Sequence, residues 1–67
     1  MSMTIRYKVV GGREGEDLRA SEADARETLE KALDTYLQRG HHISNIDNEY
    51  VIEDSGGNLV ATYELVS

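Results

Sequence analysis

Residues Ser21 to Arg39 read as one amphipathic helix, and the 67-residue chain holds no second segment of that kind. Ala25, Leu29, Ala32, Leu33, Tyr36 and Leu37 recur at the spacing that gathers side chains on one helical face. A lone helix of this length is marginal in water and must cover its apolar stripe. The remaining residues can supply that cover only as strands, so the expected class is α+β. Local signals fix the helix ends. Ser21 is a good N-cap, Glu22 and Asp24 suit the positive end of the helix dipole, Arg39 suits the negative end, and Gly40 is a stop. Glu22/Arg26 and Glu27/Lys31 are i,i+4 pairs in the favourable order.

Upstream, Thr4 to Val10 alternates. Ile5, Tyr7 and Val9 interleave with Thr4, Arg6 and Lys8, the period of two of a half-buried strand. Gly11, Gly12 and Gly15 then mark a turn. Glu16 to Ala20 reads as loop or as a short returning strand; the second is favoured, with Leu18 pointing inward. Downstream, His41 to Asn45 reads as a connector and Ile46 to Glu53 as one extended run. Asp54 to Asn58 reads as a turn and Leu59 to Val66 as a strand that closes a hairpin.

The expected architecture is a single domain over residues 1–67. One helix packs on one face of a small antiparallel sheet of three or four strands, in the order β-(short β)-α-β-β. The C-terminal strand carries few charges and is placed in the sheet interior, with the first strand antiparallel beside it. The strand phases then sort the faces. Ile5, Tyr7, Val9, Tyr50, Ile52, Leu59, Ala61, Tyr63 and Leu65 form a nearly apolar side that must meet the helix. The reverse choice would bury charged groups without compensation. The outer side holds Arg6, Lys8, Glu49, Val51, Glu53, Val60, Thr62, Glu64 and Val66, with Arg6 and Lys8 near Glu64.

Composition narrows the function. The chain has 13 carboxylates against 7 Lys/Arg and a formal charge of −6, which disfavours a phosphate backbone as partner. There is no cysteine, which removes disulfides and thiolate metal sites and fits a reducing cytoplasm. No apolar run approaches the roughly 20 residues of a membrane span, and the first residues lack the apolar core of a signal peptide.

The chemistry-bearing patterns are weak. His41 and His42, with Asp47 and Glu49, are the only metal candidates, but adjacent histidines point apart and a zinc site needs convergent ligands. Asn45, Asp47 and Glu49 start like a calcium loop, yet Tyr50 stands where glycine is required and Gly56 where the bidentate glutamate belongs. The glycine turn is followed by Glu14, Glu16 and Asp17, which repel phosphate. Ser21 and Ser55 are explained as cap and turn residues. Four tyrosines supply all the aromatic mass and are read as core with hydroxyls at the rim. A stacking platform requires that the helix leave part of the sheet uncovered.

With no catalytic constellation and no cofactor implied, the expected function is a small protein-interaction or regulatory module that binds rather than catalyses. The expected partner is a second copy or another protein, with no nucleic acid and no membrane. The expected contact surface is Arg6, Lys8, Val51, Val60, Thr62 and Val66. Two other readings are a metal-dependent or acid–base enzyme centred on His41/His42, and an acidic mimic that blocks a nucleic-acid-binding protein.

Overall fold

The structure, a computed structural model, describes residues 2–67. In chain order the elements are β1 (Met3–Val9), β2 (Glu14–Arg19), α1 (Glu22–Gln38), β3 (His42–Ile46), β4 (Glu49–Glu53) and β5 (Leu59–Val66). The strands form one five-stranded sheet in the order β2-β1-β5-β4-β3, with every neighbouring pair antiparallel. One helix on an antiparallel sheet is the expected class, but the sheet has five strands, not three or four.

Both helix ends follow their local signals. The Ser21 hydroxyl accepts from the Asp24 N–H at 3.1 Å. At the other end Gly40 takes a left-handed φ of +82°, while its N–H donates to Leu37 and the His41 N–H donates to Tyr36. These two reversed hydrogen bonds satisfy carbonyls that would otherwise be orphaned. The expected ion pairs Arg26–Glu22 and Lys31–Glu27 form at 3.2 and 3.5 Å.

The sheet faces sort as the alternation requires. Ile5, Ile52, Ala61 and Leu65 are buried under the helix, along with Met3, Ala25 and Leu29. Arg6 lies opposite Glu64 on the outer side and also holds Glu16 at 2.9 Å. β1 pairs antiparallel with β5 in the sheet interior.

Four expectations need correction. The short returning strand expected at Glu16 to Ala20 is present as Glu14–Arg19, but Leu18 faces outward at 71% exposed, because it pairs with Thr4 of the outer phase. His41 to Asn45 is not a simple connector, since β3 starts at His42 and pairs with β4. The run from Ile46 to Glu53 is split by a tight turn in which Asp47 takes a φ of 55° and the Asn45 side-chain amide donates to the Asp47 and Glu49 carbonyls. Leu37 and Leu59 are exposed. Leu37 lies in the last helical turn, beyond the covered stretch, and Leu59 follows a register shift at Ile52/Glu53.

The helix must connect the two sheet edges, since β2 and β3 are the outermost strands. Four inter-strand gaps of ~4.8 Å separate those edges by roughly 19 Å. The 17-residue helix is roughly 25 Å long. It therefore runs obliquely. It starts beside the Arg19 end of β2 and finishes above the His42 end of β3. Two opposite corners of the inner face stay outside its path.

The starting corner is latched. The Arg19 guanidinium donates to both carboxylate oxygens of Asp24, at 3.1 and 3.0 Å. That hydrogen bond holds the Asp24 carboxyl below its ordinary value. Asp54 is likewise lowered, chiefly by accepting the Asn58 N–H. A lowered folded-state value means stabilisation that is present above the ordinary carboxylate range and lost as pH falls through the folded value. Thermal melts between about pH 6 and about pH 2 should therefore show stability falling on acidification. Asp24→Asn is expected to start less stable and to lose less over that range. A constant offset between the two proteins at every pH would contradict the latch.

Candidate functional site

Among the described residues no second layer covers the outer sheet face. Its side chains form rows across the strands, read from the register. One row is Glu16, Arg6, Glu64, Glu49 and Ile46; the next is Glu14, Lys8, Thr62, Val51 and Ser44. Leu18, Thr4 and Val66 close one end, and Val10 and Val60 adjoin at the other, where the Val10 N–H donates to Val60. All six expected contact residues, Arg6, Lys8, Val51, Val60, Thr62 and Val66, lie on this one face. Sequence reasoning missed three apolar members of it. Leu18 and Ile46 are 71% and 72% exposed, and Val10, beside Val60 at the other end, is 56% exposed. Leu18 was assigned the wrong phase, and Ile46 sits on a strand whose pairing the sequence does not announce.

Charge on this face is organised by strand. The basic residues Arg6 and Lys8 are both on β1. The acids stand on either side, Glu14 and Glu16 on β2, Glu64 on β5, and Glu49 and Glu53 on β4. Arg6 bridges to Glu16 and lies 4.0 Å from Glu64. Exposed pairs of this kind contribute little to stability, so they are better viewed as setting the pattern of the surface.

The histidine region is split by the fold. The His41 ring places Nδ1 3.2 Å from the Tyr36 carbonyl oxygen and stands edge-on to the Tyr36 ring, so His41 completes the helix end. His42 is exposed and lies opposite Glu53. Asp47 and Glu49 are at the far end of the β3–β4 hairpin, a distance of roughly 13 Å along the strand. Among the described residues no three His, Asp or Glu side chains converge as a metal site would need.

The inner face carries a second feature. Gly15, Tyr7, Tyr63 and Tyr50 form a row across β2, β1, β5 and β4. Tyr36 descends from the helix onto Tyr63, with ring centroids 6.3 Å apart at 65°. Tyr7 and Tyr63 are 6.3 Å apart and tilted by 31°. Tyr50 lies on the packed side and contributes to the core, while Tyr7 lies on the side the oblique helix leaves open. There a cleft of about 230 Å³ opens between helix and sheet, lined by the three rings of Tyr7, Tyr36 and Tyr63 together with Arg13, Asp17 and Thr28. Burial, reinforced by the Tyr36 hydroxyl, pushes the Tyr63 phenol up to about 12, so this hydroxyl is neutral at physiological pH.

Among the described residues, no helix is long and apolar enough to cross a membrane. Comparison with protein-family models, with curated proteins and with solved structures finds no match to this chain.

Proposed function

We propose that this chain is a small binding module that acts by association rather than catalysis, and that its partner is a second copy docked through the outer sheet face. One observation supports this above the others: an entire face of a five-stranded sheet lacks a second layer while displaying Leu18, Ile46, Val10, Val51, Val60 and Val66. Sheets that expose apolar side chains on this scale are commonly covered by another layer. The face is about 24 Å wide and about 20 Å long, so a face-to-face pair would bury roughly 1,000 Å² in all, at the lower bound for a specific interface. The absence of cysteine fits a cytoplasmic setting for such a pair.

Charge complementarity favours a second copy as occupant. β5 is the central strand, with β1 and β4 on either side. A two-fold axis along β5, just above the face, lays β1 of one protomer over β4 of the other. Arg6 and Glu49 both flank Glu64 in one row, so this rotation sets Arg6 against the partner's Glu49, twice by symmetry. Lys8 then lies between the partner's Glu49 and Glu53. Glu64 meets its own copy near the axis, with Arg6 on each side to offset the repulsion. Aligned sheets pack with a twist of about 30°, which keeps these central rows in register.

Reversal of the paired charges tests the arrangement by sedimentation velocity at micromolar protein. Arg6→Glu and Glu49→Arg are each expected to weaken the dimer by about tenfold, equivalent to about 1.4 kcal/mol. The double variant should recover most of that loss. Raised salt should weaken the native dimer and leave the fold intact. A wild-type protein that stays monomeric, or a double variant no better than either single one, would overturn the proposal.

A further inference from the structure

The open inner corner has the ingredients of a small-molecule site, independent of the outer face. The oblique path of α1 leaves Tyr7 only half-buried, and Gly15, its partner on β2, makes room for that ring. A Cβ at Gly15 would stand 2.9 Å from the Tyr7 hydroxyl oxygen, so only glycine permits this position of the ring. The result is a recess with aromatic walls on two sides, Tyr7 and Tyr63 below and Tyr36 across.

The polar groups of the recess differ in their availability. Asp17 is engaged by Arg19 at 3.6 Å, and the Thr28 hydroxyl donates to the Asp24 carbonyl at 2.9 Å. Arg13 also lines the cleft, and among the described residues no carboxylate lies within ion-pairing distance of it. In a chain with 13 acids and 7 Lys/Arg, an unpaired guanidinium beside three aromatic rings is a position open to an anion from outside. The volume of about 230 Å³ lies below the range typical of drug-sized ligands and suits a single ring with one short substituent.

We propose that this corner binds a small single-ring aromatic carboxylate, with the ring against Tyr7 and Tyr63 and the carboxylate on Arg13. Aromatic stacking supplies the apolar contact, and the planar guanidinium supplies a fork that matches the carboxylate. The Tyr63 phenol, held neutral by burial, adds no negative charge to oppose it. The ligand sits on the helix side of the sheet, so dimerisation through the outer face leaves it accessible.

Benzoate is the probe, followed by amide chemical shifts of the labelled full chain. Saturable shifts confined to the neighbourhood of Tyr7, Arg13 and Tyr63 are expected, with a dissociation constant on the order of a millimolar or below. Because the chain has no tryptophan, tyrosine emission should change with the same midpoint. Arg13→Gln is expected to weaken binding by about tenfold, and Arg26→Gln, a cation paired with Glu22 outside the cleft lining, to leave it unchanged. Cyclohexanecarboxylate, which keeps the charge without the ring, should bind several-fold more weakly. The proposal is overturned if benzoate causes no saturable shifts, if the shifts scatter over the surface, or if Arg13→Gln binds as tightly as the native protein. Preferential binding of benzylammonium, which would select Asp17 instead of Arg13, also overturns it. None of these outcomes depends on the oligomeric state.

Discussion

Replacing Ile52 by alanine is expected to cost about 2–5 kcal/mol of folding stability. Ile52 has no exposed surface and is the largest side chain so completely enclosed. It sits on β4 between Ile43 of β3 and Ala61 of β5, under the helix. Ala61 has little side chain with which to close a void, so the cavity would persist. A domain of this size has a total margin of roughly 3–10 kcal/mol, so the substitution removes a large part of it. Urea unfolding followed by circular dichroism should show a strongly lowered midpoint, or no folded protein at all. Ile52→Val, which deletes one methyl group, should remain folded and cost about 0.5–1.5 kcal/mol. If alanine were tolerated with less than about 1 kcal/mol of loss, the packing around β4 would have to differ from that described.

The second large effect concerns association. Val60→Lys is expected to abolish dimerisation at tens of micromolar protein while leaving the unfolding midpoint nearly unchanged. Val60 lies on β5, outward-facing and only half-buried in the single chain, so its replacement creates no cavity. Substitutions at such positions usually shift stability by no more than about 0.5 kcal/mol. Across the proposed two-fold axis, however, Val60 faces its own copy, and two lysines would meet in a partly dehydrated contact. Like charges so placed cost several kcal/mol of binding. Sedimentation velocity reads the mass and a thermal melt reads the fold. A dimer that survives Val60→Lys would move the interface away from this face. The exposed edges β2 and β3 would then become the surfaces to test, since an unpaired strand edge can add a strand from a neighbour.

The helix was legible almost to the residue. Ser21, Gly40 and the pairs Glu22/Arg26 and Glu27/Lys31 act within one or two turns, so their meaning does not depend on distant parts of the chain. The phases of β1, β4 and β5 were legible for a similar reason. A strand between a core and water must alternate, and the choice of core face was forced by the charges on Arg6, Lys8, Glu49, Glu53 and Glu64. The location of β5 inside the sheet, antiparallel to β1, followed from its low charge.

That Arg6, Lys8, Val51, Val60, Thr62 and Val66 share one face was legible because they follow those same phases. Leu18, Ile46 and Val10 escaped because each lies where local pattern fails. Leu18 is an isolated apolar residue among charges on an edge strand. Ile46 closes a hairpin whose turn, at Asp47, has no glycine to announce it. Arg13 escaped because a cation in a glycine turn looks like any solvated residue until the fold brings it to the cleft of Tyr7 and Tyr63.

The sequence by itself determined which segments bury one side and which side that is, because periodicity and capping are short-range properties of the chain. The tertiary structure decided the rest. β3 is mostly exposed, so nothing in its own pattern demands a strand; hydrogen bonding to β4 makes it one. With β2 and β3 at opposite edges, a single helix has to span the sheet obliquely. The uncovered corner beside Tyr7 follows from that span, since one helical cylinder of about 10 Å diameter cannot roof a sheet about 24 Å wide.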